Sequence, residues 1–279
     1  MELWEELREE ALAEVDVRTD LRVEGKAVIT GAGDSYAAGL VLAGSLPGSV
    51  RVEDPLTVTT NNFDESLVVA VSVSGKTARV LDAVRFQKSR GKKVIVVTAN
   101  ESSELVRVAD EVLLLPFKGK PSVPGALTYL ETLVALYKLF GVEVEDMKRI
   151  TRFELKEGTA FLGCGSGMGN AYFAHLKLAE TFGWWSLSEN LELFAHSPMF
   201  IKSLNEIVIF SCGSRLEEEL ERRLDNVTVV RGSVVDQARS IIMSLSDSVR
   251  SLGLQRPFFL TERDLLEKSS YIIYNYRLT

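Results

Sequence analysis

Valine-rich apolar runs recur along the chain, and most are followed by a turn and a segment with helical spacing of its apolar residues. The strands predicted from this pattern lie at residues 26–30, 50–54, 69–73, 93–98, 112–115, 159–162, 206–210 and 227–230. Short apolar runs without polar alternation are typical of parallel strands that are buried on both faces. The alternation of strand and helix therefore predicts an α/β fold, with parallel sheets between layers of helices.

The second half of this pattern repeats the first half. The turn Gly31-Ala32-Gly33-Asp34-Ser35 has a counterpart in Gly163-Cys164-Gly165-Ser166-Gly167, and the turn around Gly75 has a counterpart around Gly213 at nearly the same offset. A repeat of this length indicates a duplicated domain rather than a solenoid. We therefore predict two domains, at residues 1–145 and 146–279, with a charged connection near their boundary.

The turn after the third run carries three hydroxyl side chains, Ser72, Ser74 and Thr77, around Gly75. Free backbone N–H groups and the helix dipole make a strand–turn–helix start favourable for an anion. The turn contains no carboxylate, and Lys76 adds a positive charge. A plain hydroxyl N-cap is the alternative interpretation, but three hydroxyls on one turn favour a phosphate site.

The first glycine turn allows two interpretations. Gly31-Ala32-Gly33 follows a strand, and Glu53 ends the next strand, where a ribose-binding acid lies in dinucleotide-binding domains. Tyr36, however, occupies the place of the third glycine of that fingerprint, and its bulk opposes close approach to a pyrophosphate. We favour a second interpretation, in which Ser35 joins the hydroxyl turn and both helix starts converge on one phosphate.

A predicted helix in the second half carries Lys177 and Glu180, which are three residues apart and share a face. A surface ion pair is one interpretation of them. The surrounding residues are apolar, however, and partial burial makes a carboxylate a better carrier of protons, so Glu180 is a candidate base. His196 follows in a loop, where a structural hydrogen bond is the alternative to a catalytic role.

The net charge and the counts of cysteine and histidine limit the classes of ligand and partner that we expect. The net charge of −7 and the pI near 5.2 argue against nucleic acid or an anionic membrane, though not against a small anionic ligand. Cys164 and Cys212 are the only cysteines, so we expect isolated thiols in a reducing cytoplasm and no disulfide. We expect neither a leader nor a membrane-spanning run, because residues 1–16 have the pattern of a charged amphipathic helix and no apolar run is long enough to cross a membrane. Two histidines and no paired cysteines predict no metal site.

Together these motifs resemble a known family. Gly31-x-Gly-x-Ser35 with Ser72-x-Ser-Gly-x-Thr77 resembles the sugar isomerase (SIS) domain, which binds sugar phosphates. Lys177-x-x-Glu180, with His196 and Pro198, is similar to the isomerase half of glucosamine-fructose-6-phosphate synthase. The tandem arrangement also resembles the archaeal phosphoglucose/phosphomannose isomerases. The resemblance implies two SIS-type αβα domains, each a parallel sheet between helices, related by internal duplication.

The resemblance also implies roles for particular residues. Glu180 would move the proton between C1 and C2, His196 would assist ring opening, and Lys268 would match a late catalytic lysine. Lys177 and Asp34 would support them, without metal or cofactor. The residues expected to bind the phosphate of the substrate are Gly33, Ser35, Ser72, Ser74 and Thr77. Because the histidine of such proteins can come from a neighbouring subunit, a homodimer with shared active sites is implied.

The resemblance leaves three functions open. An isomerase that interconverts ketose and aldose hexose 6-phosphates is favoured. Deamination of glucosamine 6-phosphate, or isomerisation with free ammonia, is the second, and a non-catalytic sugar-phosphate sensor is the third. The synthase has an N-terminal cysteine for glutamine hydrolysis where this chain begins Met1-Glu2, so glutamine is not expected as a nitrogen donor by that route. The phosphoglucose/phosphomannose isomerases have an arginine where Gly125 follows Pro124.

Overall fold

The computed structural model describes residues 1–117 and 119–276, and they form alternating strands and helices. The first half contains α1 (Leu3–Leu12), β1 (Ala27–Thr30), α2 (Asp34–Ser45), β2 (Val50–Glu53), α3 (Pro55–Thr60), β3 (Leu67–Val71), α4 (Ala78–Ser89), β4 (Lys93–Thr98), α5 (Glu104–Val108), β5 (Glu111–Leu114) and α6 (Leu127–Leu139). The second half contains β6 (Thr159–Gly163), α7 (Ser166–Phe182), β7 (Ser186–Asn190), α8 (Leu191–Phe194), a 3₁₀ helix (Pro198–Phe200), β8 (Glu206–Phe210), α9 (Arg215–Arg223), β9 (Val227–Val230), α10 (Val234–Leu252), α11 (Phe258–Thr261) and α12 (Arg263–Tyr274). No helix within these two stretches is long and apolar enough to span a membrane.

Two parallel sheets organise these elements, which confirms the predicted α/β layers. The first sheet has the order β2-β1-β3-β4-β5, and the second has the order β7-β6-β8-β9. The second sheet thus repeats the order of the first four strands of the first. Strand β7 was missed by the sequence analysis, because Ser186–Asn190 is polar and lies half-buried at the sheet edge, without the apolar run of a central strand.

The helices form three layers around the two sheets. One core cluster joins the inner faces of both sheets to α1, α2, α6, α7 and α10, which lie between them. A second cluster covers the outer face of the first sheet with α3, α4 and α5, and a third covers the outer face of the second sheet with α8 and α9. Because the inner cluster includes residues from both halves, each half buries its inner sheet face against the other.

Glycines allow α2 and α7 to pack backbone to backbone in the middle layer. A Cβ atom at Gly44 would lie 2.1 Å from the carbonyl carbon of Gly165, and one at Gly169 would lie 2.5 Å from the backbone nitrogen of Val41. Any side chain at these positions would therefore push the helices apart. The two helices run antiparallel, so the carboxyl-terminal part of α7 lies beside the start of α2.

The two cysteines correct a prediction. Cys164 and Cys212 form a disulfide with their Cα atoms 6.0 Å apart, so the expectation of two isolated thiols was wrong. The two residues follow β6 and β8, which are hydrogen-bonded neighbours in the second sheet. Their separation of 48 residues in sequence hides this proximity, which arises only from the strand order.

We expect loss of this disulfide to lower the free energy of unfolding by about 2–4 kcal/mol, because the bond closes a long loop in the unfolded chain. Urea unfolding of the parent with and without dithiothreitol measures the effect. The variant Cys164→Ser/Cys212→Ser should be as unstable as the reduced parent and insensitive to the reductant. Equal urea midpoints for oxidised and reduced parent protein would contradict the expectation.

Candidate functional site

A cavity of about 290 Å³ opens at the carboxyl ends of β1 and β3, which are adjacent in the first sheet. Four of the predicted phosphate-binding residues line it, namely Ser35, Ser72, Ser74 and Thr77. Ser35 lies in the first turn of α2, and Thr77 is the N-cap residue of α4, so the starts of two long helices face the same space. This arrangement suits a dianionic group.

The backbone of both turns depends on glycine. Gly33 is the N-cap residue of α2 with φ +58°, and Gly75 has φ +64°. A Cβ atom at Gly75 would also lie 2.4 Å from the Cβ atom of Ser103. The turn around Gly75 is partly ordered by its own hydroxyls, since Ser72 Oγ and Thr77 Oγ1 are 3.1 Å apart. Glycine therefore fixes the turns, and the hydroxyls face the cavity.

The counterpart of the hydroxyl turn in the second half already contains an anion. The Glu217 carboxylate accepts hydrogen bonds from the backbone N–H groups of Cys212 (2.8 Å) and Ser214 (3.1 Å) and from the hydroxyl of Ser211 (2.6 Å). Glu217 thus takes the place that a phosphate would occupy in such a turn. The first-half turn has no such carboxylate, so it is the turn with free capacity for a ligand.

The second-half turn also contains the one close group of three potential metal ligands that the described residues form. These are Cys164, Cys212 and Glu217, whose ligand atoms lie within 4.8 Å of one another. The two sulfur atoms are joined in the disulfide, and the carboxylate is saturated by the hydrogen bonds of its own turn. All three groups are therefore already engaged within the protein.

Three ionisable side chains meet at the other side of the cavity. Lys177 Nζ lies 2.9 Å from Asp34 Oδ2 and 2.5 Å from Glu180 Oε2. The lysine side chain is 1% exposed, whereas that of Glu180 is 40% exposed, so the burial expected for Glu180 falls mainly on Lys177. Asp34 and Glu180 both line the cavity together with the hydroxyls. The packing of α2 against α7 makes this contact between the two halves.

Burial and charge shift the protonation of this group. Burial raises the pKa of Asp34 to about 6; Lys177 opposes the rise, and the negative charge of Glu180 adds to it. Burial by itself would lower the pKa of Lys177, but the two carboxylates outweigh it and raise that pKa. Lys177 is therefore a permanent cation between one carboxyl that titrates near neutral pH and Glu180.

A second cavity of about 520 Å³ adjoins the first, and Asp34 and Glu180 line both. The other walls of the second cavity are the loop at residues 123–125, α11 and α12. The segment from α11 to residue 276 forms a C-terminal tail. Near its end, the ring of Tyr276 makes a cation–π contact with Arg79, whose guanidinium lies 4.7 Å from the ring centre. The tail thus contacts α7 through α11 and contacts α4 through α12. The hydroxyl turn immediately precedes α4.

Two predicted catalytic residues lie outside both cavities. The His196 side chain is 70% exposed, and its Nε2 atom is 3.5 Å from Glu192 Oε1. Lys268 is 67% exposed and pairs with Asp264 at 2.6 Å. Within the described part of one chain, neither residue lines the cavity that contains Glu180.

The sequence analysis missed the part of the cavity wall that α6 provides. Thr128, Tyr129 and Thr132 line the cavity from this helix. The Tyr129 hydroxyl donates to Asn170 Oδ1 at 3.0 Å, and its ring stacks on Phe173. The sequence offered little signal, because α6 resembles an ordinary buried helix with scattered hydroxyl groups.

Two buried carboxyl groups hold the ends of the loop that leads into α6. Glu131 accepts a hydrogen bond from the backbone N–H of Phe117 at 3.2 Å, and Glu10 accepts one from that of Leu127 at 2.9 Å. Burial raises the pKa of Glu131 to about 7 and also raises that of Glu10. Ionisation of either carboxyl therefore costs free energy in the folded protein.

We expect the free energy of unfolding to fall by roughly 2–3 kcal/mol between pH 5 and pH 8 because of Glu131. The folded state keeps this proton up to about pH 7 and the unfolded state loses it near pH 4.5, so stability falls as pH rises through this window. Urea unfolding at both pH values should show a smaller fall for Glu131→Gln, which keeps an acceptor for Phe117. The exposed variant Glu101→Gln should behave as the parent, and an equal fall in all three proteins would contradict the assignment.

Comparisons with known proteins agree with the predicted resemblance to the SIS domain and to the isomerase half of glucosamine-fructose-6-phosphate synthase. Residues 20–140 match the SIS domain family model. Over 145 residues the chain is 37% identical to a glutamine–fructose-6-phosphate aminotransferase (isomerizing) from Aeropyrum pernix, and over 136 residues it is 36% identical to one from Pyrobaculum aerophilum. The matches cover 50% and 43% of this chain but 24% and 22% of those proteins, so the chain matches less than a quarter of their length.

Solved structures match nearly the whole chain. Glucosamine-6-phosphate deaminase from Thermotoga maritima has a TM-score of 0.66 and 17% identity, and the match covers 91% of this chain and 93% of that one. The C-terminal domain of glucosamine-fructose-6-phosphate aminotransferase from Francisella tularensis has a TM-score of 0.62 and 18% identity, covering 88% and 90%. Residues 20–140 therefore match the SIS domain family, and the overall fold of the chain is similar to that of these two structures.

Proposed function

We propose that this protein interconverts ketose and aldose hexose 6-phosphates, fructose 6-phosphate with glucose 6-phosphate or a similar sugar, by proton transfer through an enediol. One observation carries the proposal. A single cavity is lined by the hydroxyls of two helix starts and by Glu180 of α7. A phosphate site within reach of a carboxylate is what this reaction requires of a protein.

The phosphate end of the substrate would bind to the first half. Ser35, Ser72, Ser74 and Thr77 supply donors without negative charge, and the dipoles of α2 and α4 add positive potential. Gly33 shapes the start of α2. Binding at this end would place the carbon chain of the sugar toward α7, where Glu180 lies in the cavity wall.

The reacting end of the substrate would face Glu180. Its carboxylate would take the proton from one carbon beside the carbonyl and return it to the next, and such a step is typically worth roughly 10²–10⁴-fold in rate. Lys177 holds the Glu180 carboxylate in place through their contact of 2.5 Å. Within one subunit the exposed Lys268, which lines neither cavity, has no direct contact with the substrate in this proposal.

We further propose a homodimer in which His196 of a second copy completes the site and assists ring opening. The 70% exposure of His196 in the single chain supports this, as do the exposed apolar side chains beside it, Leu193 and Phe200. The repeated strand order supports an origin by duplication, with residues 1–145 as the phosphate-binding domain and 146–279 as the domain that supplies Glu180 and His196.

A panel of hexose 6-phosphates, followed by NMR, tests the proposal. We expect fructose 6-phosphate to give an aldose 6-phosphate, and we expect deuterium from D₂O to appear at C1 or C2 of the sugar. Unphosphorylated fructose serves as the control, since it lacks the group that the hydroxyl turns would bind. Binding of the sugar phosphates without turnover would instead identify a sensor.

Amino-sugar chemistry is the second candidate, as deamination of glucosamine 6-phosphate or isomerisation with free ammonia. The pairing of Asp34 with Glu180 around one lysine leaves excess negative charge beside the cavity, which would attract an ammonium group. The named function of the Thermotoga maritima structure points to the same chemistry. Release of ammonia from glucosamine 6-phosphate, measured with glutamate dehydrogenase, would select this candidate over the first.

A further inference from the structure

Asp34 lies between the two cavities and lines both of them. Its side chain is 25% exposed, and its Oδ2 atom accepts a hydrogen bond from Lys177. Its Oδ1 atom is buried and has no hydrogen-bond partner among the residues that the structure describes. A buried carboxylate oxygen without a donor costs free energy, and this cost falls when the group binds a proton.

One lysine serves two carboxyl groups at this point. The buried Lys177 contacts Asp34 and Glu180, so the three groups carry an excess negative charge when both carboxyls are ionised. Two carboxylates that share one cation repel each other, which favours a proton on one of the two. Burial, supplemented by the charge of Glu180, raises the pKa of Asp34 to about 6, against the opposing effect of Lys177. Two carboxyls in different environments are the usual arrangement of an acid–base pair.

Gly125 leaves room for the Asp34 carboxyl in the cavity wall. A Cβ atom at residue 125 would lie 2.5 Å from Asp34 Oδ2 and 3.3 Å from the hydroxyl oxygen of Thr128. Any other residue would displace the carboxyl from its contact with Lys177 or force the loop outward. The glycine after Pro124 is thus matched to the acid at position 34.

We propose that Asp34 is the second proton carrier of the site, exchanging protons with the substrate oxygens while Glu180 moves the carbon-bound proton. The assignment rests on the proposed isomerase function. With Asp34 in this role, the cavity of a single subunit contains an acid that can protonate the carbonyl oxygen of the substrate. His196 cannot do so within its own chain, because it is exposed and does not line the cavity.

Asp34 and Glu180 together account for every proton that moves in the reaction. The Glu180 carboxylate takes the proton from the carbon beside the carbonyl, the C–H electron pair forms the C=C bond, and the carbonyl oxygen takes the proton of Asp34. In the second half, the Asp34 carboxylate takes the proton of the other hydroxyl, and the C=C pair takes the proton of Glu180 at the other carbon. Both groups return to their starting states, and no electrons leave the substrate.

Two of the titratable groups near Asp34, Tyr129 and Lys177, keep their protons across the neutral range. Burial raises the pKa of Tyr129 on α6 well above 10, and Lys177 on α7 also has a raised pKa. Glu180 on α7 faces Asp34 across the lysine, and Glu262 lines the second cavity from the segment before α12. In the protein without substrate, a change of protonation near pH 6 at this site therefore reports on a carboxyl group.

Asp34→Asn tests the proposal, with Asp64→Asn, an exposed aspartate before β3, as the matched control. We expect kcat to fall by roughly 10²–10⁴-fold with little change in KM, because the amide cannot exchange a proton with the substrate. In the parent and in the control, kcat/KM should fall as pH rises through an apparent pKa of about 6, and Asp34→Asn should lose this limb.

The outcomes separate this inference from the proposed function. Absence of turnover with every hexose 6-phosphate would reject the isomerase function itself. An active parent whose Asp34→Asn variant keeps kcat and the alkaline limb would overturn the role of Asp34. A variant with lower thermal stability and raised KM but an unchanged pH profile would assign Asp34 a structural role only. ¹³C NMR of the Asp34 carboxyl in the parent needs no variant and no substrate; titration near the ordinary value of about 4 would also overturn the proposal.

Discussion

Glu180→Gln should lower kcat for fructose 6-phosphate by roughly 10²–10⁴-fold while the protein stays folded and binds its substrate. The amide has nearly the shape of the carboxylate and can still accept a hydrogen bond from Lys177, which lies 2.5 Å from the native oxygen. It has no basic oxygen to take a proton from carbon. Because the phosphate site lies on other elements, KM should change little.

Two measurements make this result specific. Glu218→Gln places the same change on the exposed face of α9 and should leave kcat unchanged. Incorporation of solvent deuterium at C1 or C2 should be lost in Glu180→Gln together with turnover, because both need the base. Turnover at the parental rate in Glu180→Gln would reject the assignment of this residue.

Lys177→Met should lower the free energy of unfolding by about 3–5 kcal/mol at pH 8, because it removes the cation that two carboxyls share. The Lys177 side chain is only 1% exposed, so water cannot replace it as a partner of the carboxyls. Asp34 and Glu180 would then face each other without a counter-ion across the packing of α2 and α7. Methionine fits a helix and has a similar length, so the loss would reflect charge rather than shape. Urea unfolding measures the difference.

The pH dependence of this loss identifies its cause. Lys177 lowers the pKa of Asp34, so its removal raises that pKa further, and the variant keeps a proton on this carboxyl to higher pH. The stability deficit should therefore shrink from pH 8 to pH 5 as the carboxyl becomes neutral. Lys93→Met is the matched control, because the Lys93 side chain is 53% exposed in its ion pair with Glu111. Its free energy of unfolding should fall by at most about 1 kcal/mol. A deficit for Lys177→Met that is equal at both pH values would argue for a packing defect instead.

The local sequence was sufficient for the parallel strands of the two sheets, with one exception. Apolar runs such as those that became β3 and β8 bury every residue, and this leaves a clear pattern. The edge strand β7 has no such pattern, because its pairing partner rather than its own hydrophobicity holds it in the sheet. The disulfide was missed for a related reason, since the neighbours of a strand in a parallel sheet are set by the crossovers between them.

The candidate site was predictable where its residues share one turn. Ser72, Ser74 and Thr77 lie within six positions and face one cavity because a single helix start orders them. The contact of Asp34 with Lys177 was not predictable, because it joins the first turn of α2 to the C-terminal part of α7 through a glycine-lined crossing. The roles of Glu180, His196 and Lys268 remain predictions from the resemblance.

By itself the sequence determined that this protein is an α/β chain with parallel strands and a hydroxyl-rich turn at a helix start, because strand burial and helix starts are local properties of the chain. Tertiary structure alone decided that Glu217 fills the equivalent turn of the second half and that one buried lysine joins two carboxyls beside the first. Those features depend on which strands and helices become neighbours, and the free energy of packing the two halves on one shared core sets that choice.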